Sequence, residues 1–300
     1  MSNFFGGDNM PSYKTHGVHG EIVHNNMNHI IDTSKEDIKS FCMGPDALIA
    51  TDYDLFNYQH KNKTRDFFQA MLKYIKDNHL EENPEVMAFL YGQIDHFVLD
   101  ATIHALIFYM TEGIPIEHKV KPHGLVEMWI DDYVSQEYNK NDLFYYKKRF
   151  IKDKQTKEMI DDLYRDVFYR SKESTKYSMG MYFNTMFDWL IRQNKTMKPI
   201  LKLANTGDVL YQESLERVLP YLNLDNEMWF DPETGVIRFE SFDDLWDKAT
   251  EVSLETIEDA NNFIYKDIPT TNPFLNDNLT YDTGLPCEQG QTLQYIKKYK

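Results

Sequence analysis

Apolar residues recur along most of this chain three and four positions apart, the spacing that gathers side chains on one face of an α-helix. The segment KTRDFFQAMLKYIKDNHL shows it in Phe67, Phe68, Met71, Leu72 and Ile75. Residues 84–112 are apolar on nearly every face, which predicts a helix buried all round. Pro84 suits its first turn and Gly113 its end. One helix is expected from Ser12 or Thr15 to about Ile31, one from Thr33 or Ser34 as N-cap to a stop at Gly44, and one after Pro122. Between 141 and about 222, TKEMIDDLYRDVFYRS and YSMGMYFNTMFDWLIRQN carry the same period. Ser241 opens the last long helix, with Asp244 placed to complete a capping box. GPDALIATDYDLFNYQHKNK reads as polar loop, DPETGVIRFESF as a turn with a short extended piece, and everything from Asp267 onward as loop.

Strict apolar–polar alternation is nearly absent, so the pattern predicts an all-α protein, helix packed on helix. No repeat, low-complexity run or Gly/Ser/Pro-rich linker divides the chain. The expected organisation is a flexible N-terminus at 1–12, one multi-helix domain over 13–266, and a loop-rich tail over 267–300 packed on that domain.

The formal net charge of −16 argues against a protein that holds nucleic acid stably, since that binding runs on Lys and Arg against phosphates. It is compatible with bound cations, because metal ligands are often carboxylates. Two cysteines, Cys42 and Cys287, form neither a disulfide framework nor a CxxC site. No uninterrupted apolar run is long enough to span a membrane. The N-terminal MSNFFGGDNMPSYKTH has no basic stretch leading into an apolar one, so a cytoplasmic location is expected. Oligomeric state leaves no trace in the sequence. The histidines are unevenly spread: all ten lie at or before His123. Site chemistry is therefore expected in the N-terminal half.

The segment LYGQIDHFVLDATIHALIFY, Leu90–Tyr109, sharpens that expectation. Steps of four residues drift only about 40° around a helix, so His96, Asp100 and His104 share one face. Each step rises about 6 Å, which sets the two histidines roughly 12 Å apart along the axis. Ligand bonds near 2 Å make it awkward for both to hold one ion, whereas Asp100 between them has two oxygens and can bridge two. A single histidine on a helix is ordinarily a hydrogen-bonded core or rim residue. A buried carboxylate, however, costs several kcal/mol unless it is paired, and metal coordination is one of few ways to offset that. The following helix adds His123 and Glu127, again four apart; upstream lie His16, His19, Asp46 and His60. Together they are the nitrogen and oxygen donors that zinc uses. Tyr91, Phe56 and Tyr58 could line such a site but are expected to be core.

In their order, TH at 15–16, GPD at 44–46, His60 ahead of an FF helix, H-x3-D-x3-H from His96 and H-x3-E from His123 make the chain similar to the zinc-dependent phospholipase C family, and most of all to its signal-less bacterial branch. Weaker echoes are YLNLDNEMWFDPETG, SFDDLWDKA and LTYDTGL. The resemblance implies an all-α fold of the phospholipase C/P1 nuclease type, with two or three zinc ions at the bottom of a cleft. By motif, Asp46, His60, His96 and Asp100 would hold a first zinc, and His104, His123 and Glu127 a second. His16 with bridging Asp100 would hold the third, and Asp46 would serve as base for the attacking water. Secreted members complete the third site with an N-terminal Trp; here none precedes Trp129, and His19 is an added candidate. The step from Asp100 to His104 is shorter than in those members, which leaves His118 as the alternative to His104. The activity implied is hydrolysis of a phosphodiester, either a phospholipid head group or a nucleotide. The rivals are an HD-type phosphohydrolase, which needs adjacent His-Asp where this chain has Asp95-His96, and a non-catalytic helical protein with structural metal.

Overall fold

The computed structural model describes residues 13–49, 51–114, 122–138, 151–170, 179, 184, 215–289 and 292–298. The expected flexible residues 1–12, His118, and the segment 177–194 apart from Met179 and Asn184 lie outside them. The order of the helices is α1 (Tyr13–Asn26), α2 (Lys35–Phe41), α3 (Tyr53–Lys61), α4 (Thr64–Asp77), α5 (Pro84–Thr111), α6 (Pro122–Glu137), α7 (Lys154–Phe168), α8 (Phe242–Lys266) and α9 (Pro273–Asn276). Short 3-10 turns occur at Gly44–Leu48, Leu219–Tyr221 and Cys287–Gln289. Among the described residues the only strands are β1 (Trp229–Phe230) and β2 (Ile237–Arg238), an antiparallel pair joined through the DPETG turn. The architecture is all-α.

Helix α5 is the axis of the fold. Asn83 caps it by accepting from the backbone N–H of Glu85 and Val86, and Pro84 occupies the first turn, where a missing N–H costs nothing. From Glu85 to Ala101 every residue is buried, because α1, α2 and α8 pack around it. Helix α8 begins with the capping box expected from its sequence: Ser241 Oγ accepts from Asp244 N–H, and the Asp244 carboxylate accepts from Ser241 N–H. Tyr91, fully buried on α5, donates its hydroxyl to Asn261 of α8 at 2.8 Å and is core, as expected.

Three expectations need correction. The first helix stops at Asn26 rather than near Ile31, in a run of asparagines whose side chains compete with the helical hydrogen bonds. The stretch 44–63 is not loop: its polar residues hide a 3-10 turn and helix α3, capped by Asp52, which accepts from Leu55 N–H. The tail is looped but holds the short helix α9 and the turn Cys287–Gln289.

Candidate metal centre

Each arm of the site is set by local chemistry. On α1, Thr15 donates both its backbone N–H and its hydroxyl to Asp131 of α6, each at 2.8 Å. That clamp brings His16 to the same floor as His123 and Glu127. Asp46 comes from the 3-10 turn, whose entry requires Gly44: its φ is +49°, and a Cβ there would lie 2.3 Å from His96 Cδ2. His60 sits in the last turn of α3, and α5 supplies His96, Asp100 and His104. The eight predicted ligands thus converge from α1, the Asp46 turn, α3, α5 and α6.

Asp100, only 4% exposed, divides its two oxygens between opposite sides. Oδ2 lies 3.0 Å from His96 Nε2 and 4.0 Å from His60 Nε2. Oδ1 lies 3.3 Å from His16 Nε2 and 3.7 Å from His104 Nε2. Asp46 Oδ1 is 3.1 Å from His60 Nε2 and 4.0 Å from His96 Nε2. Glu127 Oε1 is 3.2 Å from His104 Nε2 and 3.0 Å from His123 Nε2. Three sets of donor atoms are close enough to share an ion: His60, His96 and Asp100; His16, Asp46 and His96; and His104, His123 and Glu127. No set holds both His96 and His104, as the rise of the helix requires.

Two of the imidazoles have their tautomer fixed. His96 Nδ1–H donates to the Cys42 carbonyl at 2.9 Å, and His60 Nδ1–H donates to the Phe56 carbonyl at 2.8 Å. In the neutral rings each Nε2 is then a lone pair aimed at a carboxylate oxygen, which is repulsive unless a cation lies between them. Two donors each about 2.0–2.1 Å from one tetrahedral ion sit about 3.3–3.4 Å apart, close to the separations found. Buried polar atoms without a hydrogen bond gather here as well: His96 Nε2, His16 Nδ1, His104 Nδ1, His123 Nδ1 and Glu127 Oε2. The residues present therefore fit zinc.

The electrostatics agree. Burial opposes the charge on His104, but Asp100 and Glu127 outweigh it and push the imidazole up to about 10. Burial also works against the Glu127 carboxylate, yet His123 and His104 hold it down at about 2. Asp100 lies well below the usual carboxylate range despite its burial, because His96, His104 and His16 surround it. Burial disfavours charge on His16 and His60 too; Asp100 raises the first, and Asp46 the second. All of these shifts express one demand, for positive charge between the nitrogens and the oxygens.

With that geometry, the comparison with known proteins is decisive. The family model described as zinc dependent phospholipase C matches residues 15–176, more than half of the chain. The chain belongs to the zinc-dependent phospholipase C family. No curated protein and no solved structure matches it. The matched segment contains all eight candidate ligands described above.

The structure corrects one candidate. His19, about 60° around α1 from His16, is fully buried against Asp95 and Trp246 and belongs to none of the donor sets. His104, by contrast, reaches both Asp100 and Glu127.

A cleft of about 280 Å³ opens above the cluster. Its walls include Tyr53, Phe56, Ile103 and Phe108, with Lys61 and Asp282 at its side. Phe56 is core, as expected, and also forms part of the cleft wall, whereas Tyr58, expected to be core, is exposed. Asp282 and Tyr281 were missed by sequence reasoning. Tyr281 N–H donates to the His60 carbonyl at 2.9 Å, and its buried ring lies 5.1 Å from that of His60 and 5.6 Å from that of His96. The tail thereby closes the back of the cluster and delivers Asp282, 3.5 Å from Lys61, to the cleft. The one signal was LTYDTGL, which resembled the family but carried no ligand motif.

Proposed function

We propose that this chain is a phospholipase C-like, zinc-dependent hydrolase of phosphodiesters with a multinuclear centre. The observation that carries the reading is Asp100, whose two oxygens face imidazoles on opposite sides at 3.0 Å and 3.3 Å. Bound there, zinc supplies Lewis acidity, acidifying water and stabilising charge on phosphoryl oxygens. Asp46, His60, His96 and Asp100 would hold the first ion, and His104, His123 and Glu127 the second. His16 with Asp100 offers a third.

The chain's own residues do the remaining work. Asp46, at the floor of the cleft and 5% exposed, accepts the proton of the attacking water on a carboxylate oxygen. The Cys42 and Phe56 carbonyls hold His96 and His60 with Nε2 pointing inward. Tyr53, Phe56 and Phe108 exclude water from one wall and receive the less polar part of a substrate. Substrates in view are a phospholipid head group or a nucleotide phosphodiester.

The test is to count zinc per chain and to assay bis(p-nitrophenyl) phosphate, a phosphorylcholine ester and a dinucleotide. Two or three zinc ions and hydrolysis that falls at least about 100-fold in Asp46→Asn, as for loss of a general base, are expected. No stoichiometric zinc refutes the metal centre. Zinc with undiminished activity in Asp46→Asn and Asp100→Asn leaves the metals structural.

A further inference from the structure

Behind His96, on the side of α5 away from the cleft, lies a second buried polar group that supplies no ligand to the cluster. The Asp95 carboxylate, fully buried, accepts from His19 Nδ1–H at Oδ1 over 2.7 Å and from the Cys42 thiol at Oδ2 over 3.1 Å. His19 Nε2 is engaged in turn by Thr250 Oγ1 of α8 at 3.1 Å. His19 and Cys42 are themselves fully buried. The packing is built around this group. A Cβ on Gly20 would lie 2.2 Å from Cys42 Sγ, and one on Gly92 would lie 2.6 Å from the Phe41 backbone. Glycine at both places lets α1, α2 and α5 close on the Cys42 side chain.

The consequence runs through one residue. Cys42 is the C-cap of α2, and its carbonyl is the acceptor for His96 Nδ1–H. Its thiol is tied to Asp95, the residue that precedes His96 on α5. His96 is thus held from its own backbone, through Asp95, and from its ring, through Cys42, and the two holds meet in one hydrogen bond. His96 is also common to two of the three donor sets. A rotation of this ring misplaces a donor for both.

We propose that His19, Asp95 and Cys42 form a positioning network that fixes the His96 imidazole and so sets the zinc affinity of the centre. The three residues touch neither metal nor substrate; they act through His96. The proposal rests on the reading of the cluster as a zinc site. It gives a role to His19, which the TH-GVH pattern marks beside His16 but which lies out of reach of the cluster.

The experiment measures zinc affinity of the full chain by competition with a chromophoric chelator, at a temperature where each variant is fully folded by circular dichroism. Cobalt-substituted protein reports the ligand field through its visible absorption. Outer partners of metal-bound histidines are generally worth 10–100-fold in affinity. Asp95→Asn and His19→Gln are expected to weaken zinc by about that factor and to shift the cobalt spectrum. Cys42→Ala should do the same, and Cys42→Ser, which restores a donor to Asp95, should recover most of the loss. Trp229→Phe, buried far along the chain on the β-hairpin, serves as the packing control and should leave affinity unchanged. If Asp95→Asn does not fold, the Cys42→Ala and Cys42→Ser pair makes the same comparison. Wild-type protein that binds zinc while all three disrupting variants bind it within twofold overturns the network alone. Wild-type protein that binds no zinc overturns the metal reading and the network together.

Discussion

His96 Nε2 lies 3.0 Å from Asp100 Oδ2, one helical turn along the same buried face, while His96 Nδ1 is committed to the Cys42 carbonyl. The imidazole therefore has one nitrogen turned toward the backbone and the other toward a carboxylate that itself reaches three further histidines. No apolar helix gains from such a row unless something positive is shared among its members.

Replacing the shared carboxylate should be the most damaging single change to metal binding. Asp100→Asn keeps the volume but removes the charge that faces His16, His60, His96 and His104. Zinc affinity is expected to fall by at least about 100-fold, beyond the usual cost of losing an outer partner, with phosphodiester hydrolysis falling alongside. Equilibrium competition with a chelator, together with steady-state rates, measures both; a variant that retains wild-type affinity would remove Asp100 from the bridge.

The two ends of α5 should be separable. His104 belongs to the set with His123 and Glu127, and His96 does not. His104→Ala is therefore expected to lose about one zinc per chain, by ligand count, while the set around His96 still fills. Elemental analysis of the purified variant against wild type decides it, and loss of every ion at once would show that the positions are not independent.

The pH dependence follows from the shifts. His104 rises from 6.5 to about 10, so it stabilises the chelator-treated fold fully below pH 6.5, and the contribution fades as pH climbs toward 10. Glu127 falls from 4.5 to about 2, so its contribution is present above pH 4.5 and fades as pH drops toward 2. Without zinc this pair helps most between pH 4.5 and 6.5. Zinc requires the same groups deprotonated, so its affinity rises with pH and its binding releases protons. The gap in Tm between zinc-loaded and chelator-treated protein is expected to widen from about pH 6 to about pH 8.5. Thermal melts across that range measure it; a constant or narrowing gap contradicts the assignment.

Gly44 should tolerate no side chain. Its φ of +49° and the 2.3 Å approach of a built Cβ to His96 Cδ2 make Gly44→Ala both strained and obstructed. A loss of about 1–3 kcal/mol in chemical denaturation is expected, the usual cost of a residue held in a sparsely populated backbone region. Reduced zinc affinity should accompany it, because the obstruction falls on a ligand. Loss of stability with affinity intact would mean that His96 absorbs the collision.

Some of the site was legible early because a helix converts spacing into geometry. His96, Asp100 and His104 share a face for any α-helix, and so do His123 and Glu127; no tertiary information is needed. Asp46 and His60 could be named as possible donors from residue type, but only the resemblance put them at one ion, because the stretch between them reads as polar loop until the 3-10 turn and α3 are seen. His19 was an added candidate that the structure places against Asp95 instead, because spacing alone does not say what each flank of α1 faces.

The sequence by itself determined that the protein is helical, that the last long helix opens with Ser241 and Asp244, and that one buried helix carries two histidines on one face, too far apart to share a single ion. These are properties of period and rise, which are local. Only the tertiary structure decided which oxygen of Asp100 faces which histidine. It alone turned Cys42, unremarkable in the sequence, into the acceptor for His96, and brought Tyr281 and Asp282 from the far end of the chain to His60 and the cleft. Contacts between residues far apart in sequence depend on how helices pack, and glycines such as Gly20, Gly44 and Gly92 set that packing by what they leave out.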